Sequence, residues 1–367
     1  MVHTVELIQS LEQEAVSDII TSLKITEQEQ DQLFSDTKFQ SVRRSLNSHD
    51  PETGIKKFAI FRRDDNQTGY TAYYASVEIE PLVMIKEKLT VDLFEATPVN
   101  VLTLRFRFRA VMSRYFSHES LINLQSWLCR RIDYTFNFRF NNTADKDLFL
   151  ELTRKTSHYV RKHLKRVSRL ALKNQSAAEG NSSVKVIFYD KSKQIEKVYN
   201  DIPSSQKQSL LDAADNFIRF EVQCLKGRVL SLRRKNRFSD RCILHYLNED
   251  IAKDVLISEY RNSVGLGDFY SFYWAKKRIE QSSFSPKKKQ SLVRLLQLIA
   301  QARHVSIAKE QFIKGMKIKR TDITVQGSIT TFKSYLRDFN SLGINPMLIP
   351  KERKITHFTN PIVQLLT

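Results

Sequence analysis

The stretch Val184-Lys185-Val186-Ile187-Phe188-Tyr189-Asp190 alternates with a period of two, which suits a strand and not a helix. Val184, Val186 and Phe188 fall on one face, and Lys185, Ile187, Tyr189 and Lys191 on the other. The small and polar residues from Ser176 to Gly180 read as a loop leading in. Two more stretches repeat the pattern. Arg131–Phe138 puts Ile132, Tyr134, Phe136 and Phe138 on a dry side, with Arg131, Asp133, Thr135 and Asn137 opposite. Asn216–Gln223 puts Ile218, Phe220 and Val222 inside, with Phe217, Arg219, Glu221 and Gln223 opposite. If these strands neighbour one another in an antiparallel sheet, its non-core face gathers Asp133, Tyr189 and Glu221. With the helical stretches around them, this predicts an α+β fold, a central antiparallel sheet with flanking helices.

The remaining chain divides coarsely. Residues from Val5 to about Phe39 read as helical, on the spacing of Leu7, Leu11, Val16, Ile19 and Leu23. Phe58–Phe61 and Tyr70–Ile79 read as a hairpin about the turn Asp64–Gly69, and Val91–Glu95 as a further strand. In Val101–Arg109, Arg105, Arg107 and Arg109 alternate with apolar residues; this suits phosphates and stacked bases, or simply a solvated basic face. Glu119–Cys129 reads as an amphipathic helix. Asp145–Lys173 reads as a long helix whose later part is almost wholly basic, with Lys162, Lys165 and Arg169 as candidate DNA-backbone contacts. Ser204–Asp215 is helical, and the chain from Lys226 mostly so. Ser285-Pro286 is a helix start. Helices at Ser306–Lys314 and Ser328–Leu342, the second stopped by Gly343 and carrying Lys333 and Arg337, resemble a winged helix-turn-helix with Met347–Thr359 as its wing. The division is a helical segment at 1–50, a sheet domain at 51–228 and a helical region at 229–367, with the winged-helix candidate at 305–360.

A formal net charge of +19 on a chain that is 41% hydrophobic implies a packed protein with a polyanionic partner, nucleic acid rather than an acidic membrane. No apolar run is long enough to span a bilayer, and Met1–Glu12 lacks a secretory h-region. Three unpatterned cysteines point to a reducing cytoplasm and away from zinc; Cys129 and Cys224 read as core thiols.

A phenol set among ammonium groups suits attack on a phosphodiester, with Tyr189 as nucleophile and lysines holding phosphate. Asp133 and Glu221, if close, offer oxygen ligands for magnesium or manganese. The plainer alternatives are a packed tyrosine and sheet-surface ion pairs, Asp133 with Arg131 and Glu221 with Arg219. Arg131, Lys185, Lys193 and Arg219 lie on or beside this face as candidate DNA contacts.

The order Arg131-Ile132-Asp133-x-Thr135-Phe136, then Tyr189 before Lys191, then Ile218-Arg219-Phe220-Glu221 before Lys226 resembles the gene II/X replication initiators of filamentous phages and related plasmid rolling-circle initiators. Upstream, Glu95-Ala96-Thr97-Pro98-x-x-Val101-Leu102 resembles a segment preceding the Arg-Ile-Asp motif in that family. The resemblance covers roughly Glu95 to Arg228. It implies a nuclease domain at 51–228 that nicks one strand of a double-stranded origin, leaving a 5′-phosphotyrosine link and a free 3′ hydroxyl, and later rejoins the strand. It implies Tyr189 and Lys191 as catalytic residues and Asp133 and Glu221 as ligands to Mg2+ or Mn2+. It further implies double- and single-stranded DNA, a host helicase and a polymerase as partners in a bacterial cytoplasm. The His-x-His pair that many rolling-circle nucleases use does not occur here, which leaves a third ligand open among Asp92, Glu95 and His158. Tyr199 is a weaker second candidate nucleophile. The competing readings are an origin-binding initiator or repressor acting through winged helices, and an RNA-binding protein using the Arg-Phe segment.

Overall fold

The structure, a computed structural model, describes residues 1–34, 41–44, 53–64, 71–156, 165–166, 176–200 and 202–367. The chain begins with β1 (Val2–Leu11), α1 (Gln13–Ser22) and α2 (Glu27–Phe34), followed by β2 (Ser41–Arg44), β3 (Ile55–Asp64) and β4 (Thr71–Ile79). Helices α3 (Pro81–Lys86), α4 (Pro98–Met112) and α5 (Glu119–Ile122) lead to β5 (Leu128–Arg139) and α6 (Thr143–Thr156). Next come β6 (Lys165–Arg166), β7 (Ser176–Gly180), β8 (Val184–Asp190), α7 (Lys191–Val198), α8 (Ser204–Ala213) and β9 (Phe217–Cys224). The C-terminal part holds α9 (Lys226–Asn236), α10 (Glu249–Ser263), β10 (Phe269–Tyr270), α11 (Phe272–Glu280), α12 (Pro286–Ala302) and α13 (Val305–Lys314). It ends with β11 (Met316–Lys317), β12 (Thr324–Val325), α14 (Ile329–Ser341), β13 (His357–Phe358) and α15 (Val363–Leu366).

Among the described residues, nine strands form one sheet in the order β2-β3-β4-β1-β5-β9-β8-β7-β6, and every pairing in it is antiparallel. The protein is therefore α+β. The three predicted strands β5, β9 and β8 are adjacent, because each has a continuous apolar face. Phe138, Phe188, Phe220 and Tyr260 pack together on that face, with Phe188 and Phe220 stacked at 4.6 Å and Tyr260 of α10 edge-on to all three phenylalanines. The helical C-terminal region thus closes the dry side of the sheet, and the buried apolar core runs continuously from Val2 to Leu365.

Several expectations are corrected. Residues 2–11 are a strand, not a helix: β1 lies in the middle of the sheet, between β4 and β5, so the first fifty residues are not a helical appendage. The four-residue spacing of Leu7 and Leu11 mimics a helical stripe, while burial of Val2, Val5 and Leu7 follows the sheet. Ser176–Gly180 is strand β7, because the free edge of β8 needs backbone partners and small side chains can supply them. A Cβ on Gly180 would come within 2.9 Å of the Val184 carbonyl oxygen, which keeps this β7–β8 turn tight. The predicted helix does not run unbroken to Lys173: α6 is described from Thr143 to Thr156, and Lys165–Arg166 pair with β7. Lys162, Arg169 and His158 lie outside the described residues. Glu119–Cys129 holds only the short α5 and a 3-10 turn before β5 begins. Val91–Glu95 contributes a single bridge, Val2 to Phe94, rather than a strand. Between α13 and α14 lies the β11–β12 hairpin, and Met347–Thr359 makes no wing hairpin; its β13 pairs instead with β10, ahead of α11. The predicted hairpin β3–β4, the Ser285-capped start of α12 and the stop of α14 before a left-handed Gly343 stand as read.

Candidate active site

The polar face of β5, β9 and β8 takes its arrangement from register. Thr135 and Ile187 flank Glu221, while Asn137 and Tyr189 flank Arg219. Tyr189 is therefore opposite Arg219 and diagonal to Glu221, a spacing that long side chains bridge. The Tyr189 hydroxyl donates to Glu221 Oε2 at 3.3 Å, and Gln223 Nε2 donates to Oε1 at 2.6 Å. Arg219 is 0% exposed. Its Nε donates to Asn137 Oδ1 at 3.0 Å and its Nη2 to the Val91 carbonyl, while Nη1 has no hydrogen-bond partner among the described residues.

Lys191 does not continue the strand. Asp190 caps α7, its Oδ1 accepting from the backbone N–H of Ser192 at 3.0 Å and of Lys193 at 3.3 Å, and this turn swings Lys191 into the buried interior. Asp190 is itself anchored by a buried ion pair with Lys146 at 2.8 Å. The Lys191 ammonium donates to Gln194 Oε1 at 2.7 Å. Burial and the Arg219 charge push its pKa well down. Burial first, and Glu221 second, push the Tyr189 phenol well above its ordinary value; Arg219 acts in the opposite sense.

Asp133 is bound by Arg131 on the same strand, Nε to Oδ1 at 2.8 Å and Nη2 to Oδ2. Burial, and then Glu221, raise its pKa to about 8 against the pull of Arg131. Glu80 accepts from Lys56 at 2.8 Å and lies 3.4 Å from His3, and His3 Nδ1 is 2.9 Å from Thr4 Oγ1. His3 is pushed well below its ordinary pKa by burial and by the charges of Arg219, Lys56, Lys191 and Arg131. His3, Lys56 and Glu80 were not anticipated. Lys56 and Glu80 lie beside the predicted hairpin, and what brings them and His3 to this face is the pairing of β1 with β4 and β5, hidden by the helical reading from Val5 onward.

Among the other candidates, Tyr199 ends α7, half-buried, its phenol pKa raised by burial and by Glu80. Arg107 pairs with Glu87 at 2.6 Å, Arg109 with Glu119 at 2.6 Å and Lys193 with Glu196 at 3.0 Å. Because α4 is a helix, Arg105 and Arg107 diverge rather than sharing a strand face. Arg105 and Lys185 are half-buried, Lys333 and Arg337 are exposed on α14, and Lys165 is described only through its backbone.

The donor set does not fit a divalent ion. Both Asp133 oxygens are taken by a guanidinium, both Glu221 oxygens hold hydrogen bonds, and Arg219, Lys191 and Lys56 crowd the same face. Asp92 is tied to Lys86 at 2.8 Å. Among the described residues, the trio spaced to share an ion is Glu12, Glu14 and His118, which includes none of the predicted ligands. Among the same residues, no helix is long and apolar enough to cross a membrane. No protein-family model, curated protein or solved structure matches this chain.

Proposed function

We propose that this protein nicks and rejoins DNA as a rolling-circle-type replication initiator, with Tyr189 as nucleophile. The observation that carries the reading is the bond from the Tyr189 hydroxyl to Glu221, made beside an arginine with an unpartnered nitrogen and a lysine of lowered pKa. In this reading the phenol oxygen attacks phosphorus and its proton passes to the Glu221 carboxylate. The P–O3′ bond breaks, and the leaving 3′ oxygen takes a proton from Lys191. Arg219 Nη1 balances the charge that grows on the phosphoryl oxygens. The reverse sequence rejoins the strand, since the phosphotyrosine keeps the diester's energy. The donors at hand leave no step to a metal ion.

Tyr189 is 4% exposed, so a phosphodiester reaches it only when the cover over this face opens. That cover includes α7, α8 and the loop around Val91, held by a small apolar cluster of Val91, Ile195, Leu210, Ala214 and Phe217. The test is transfer of a labelled oligonucleotide from the replicon's own origin onto the protein as an SDS-resistant adduct. A Tyr189→Phe protein that still forms the adduct removes the assignment. A protein that binds origin duplex tightly without ever forming one is instead a non-catalytic origin binder.

A further inference from the structure

Large exposed aromatic side chains are few among the described residues, and two of them are consecutive. Tyr273 is 66% and Trp274 39% exposed in the first turn of α11, their rings edge-to-face at 5.5 Å. Neither joins the core cluster that takes in Phe272, Ala275 and Ile279 of the same helix. The Lys277 ammonium sits over the Trp274 ring at 4.8 Å, and Arg278 sits over Tyr270 at 5.0 Å. Tyr270 in turn stacks on His357 at 4.8 Å. Lys276 on the same helix pairs with Glu280 at 3.5 Å. Solvated aromatics are costly to keep without a partner, and rings interleaved with cations match the two components of an unpaired polynucleotide: a π-face on every base and a charge on every phosphate.

We propose that the N-terminal half of α11 is a stacking platform for single-stranded nucleic acid, with Tyr273 and Trp274 contacting bases and Lys277 and Arg278 the adjoining phosphates. Charge selects this occupant. A wholly apolar protein surface laid here would strip water from Lys277 and Arg278 without compensation, and duplex DNA hides its base faces within the stack. The Ser271 side chain makes no capping bond, so backbone N–H groups at the start of α11 add to the attraction for phosphate. The platform does not depend on any role of Tyr189.

The chain carries its own probe. It has two tryptophans, and the other, Trp127, is 0% exposed, its indole N–H donating to the Leu121 carbonyl at 3.1 Å. Emission from solvent-exposed indole therefore reports on Trp274. The full-length protein would be titrated with oligo(dT) and, at the same salt, with an abasic strand of equal length. Saturable quenching by oligo(dT) and little by the abasic strand is the expected result. Read by the anisotropy of end-labelled oligo(dT), since these variants lack the Trp274 probe, Tyr273→Leu with Trp274→Leu should weaken binding roughly 30-fold or more, and Trp274→Phe should largely retain it. Equal quenching by both strands, or no quenching at all, would overturn the platform. So would full affinity in the double variant, since oligo(dT) would then bind elsewhere. Quenching in the wild type decides the matter even where the double variant does not fold.

Discussion

Asp133 shows how far burial can reverse a residue's expected role. Its carboxyl lies in the folded protein with a pKa of about 8, against an ordinary value of 3.8. The folded state therefore binds a proton that the unfolded state has released across that interval. The stability this adds is complete below about pH 4 and is lost as pH rises towards 8. Asp133→Asn keeps the shape without the titration, so its urea midpoint should fall less over that range than the wild type's. Parallel profiles would mean that Arg131 keeps Asp133 ionised throughout. His3, with its depressed pKa, bends both profiles in the opposite sense below pH 6.5, which is why the difference between them is the quantity to read. The same engagement by Arg131 predicts that EDTA leaves adduct formation essentially unchanged. A collapse in EDTA would show that Asp133 and Glu221 leave their present partners to hold an ion. On the proposed mechanism, Glu221→Gln removes the carboxylate that takes the Tyr189 proton and should lower cleavage about 100- to 10,000-fold, measured as single-turnover adduct formation with DNA affinity retained.

At the scale of elements, the cover over the site is the part most open to test. Ile195 is fully buried in the cluster that holds α7 against the Val91 loop. Ile195→Ala should destabilise the protein by about 2–4 kcal/mol. Because the loss falls on the cover, it should also speed nitration of Tyr189, followed by peptide mapping; an unchanged rate would place the opening elsewhere. Strands β5, β8 and β9 were legible because each alternates cleanly and carries β-branched or aromatic residues. β7 was not, since Ser176, Ala177, Ala178, Glu179 and Gly180 have no strand preference of their own and are recruited by the edge of β8. β1 was misread because its leucines also fit a helical spacing, and the strand at Lys165–Arg166 was missed because a run of basic residues carries no strand pattern. The site was half legible. Tyr189 and Glu221 were singled out and do meet, whereas the contribution of His3, Lys56 and Glu80 depends on long-range pairing of β1 that no local pattern records.

Across the whole molecule, the +19 charge is the main reason to look for a polyanion, although not every cation is free to meet one. Arg107, Arg109, Lys193 and Arg353 are paired with acids, and Arg219, Lys191 and Lys146 are buried. Lys333 and Arg337, exposed on α14, are better placed to meet a duplex. Replacing both with alanine should reduce the slope of log affinity for origin duplex against log salt by about 1.8. An unchanged slope would return α14 to a solvated helix. The account as a whole stands on Tyr189, and the most direct measurement is covalent capture. Labelled single-stranded oligonucleotides tiling the origin would be incubated with the wild type and with Tyr189→Phe, and SDS-resistant adducts counted. An adduct with the wild type alone is the predicted result. An adduct of equal yield with both proteins, or with neither, would contradict it.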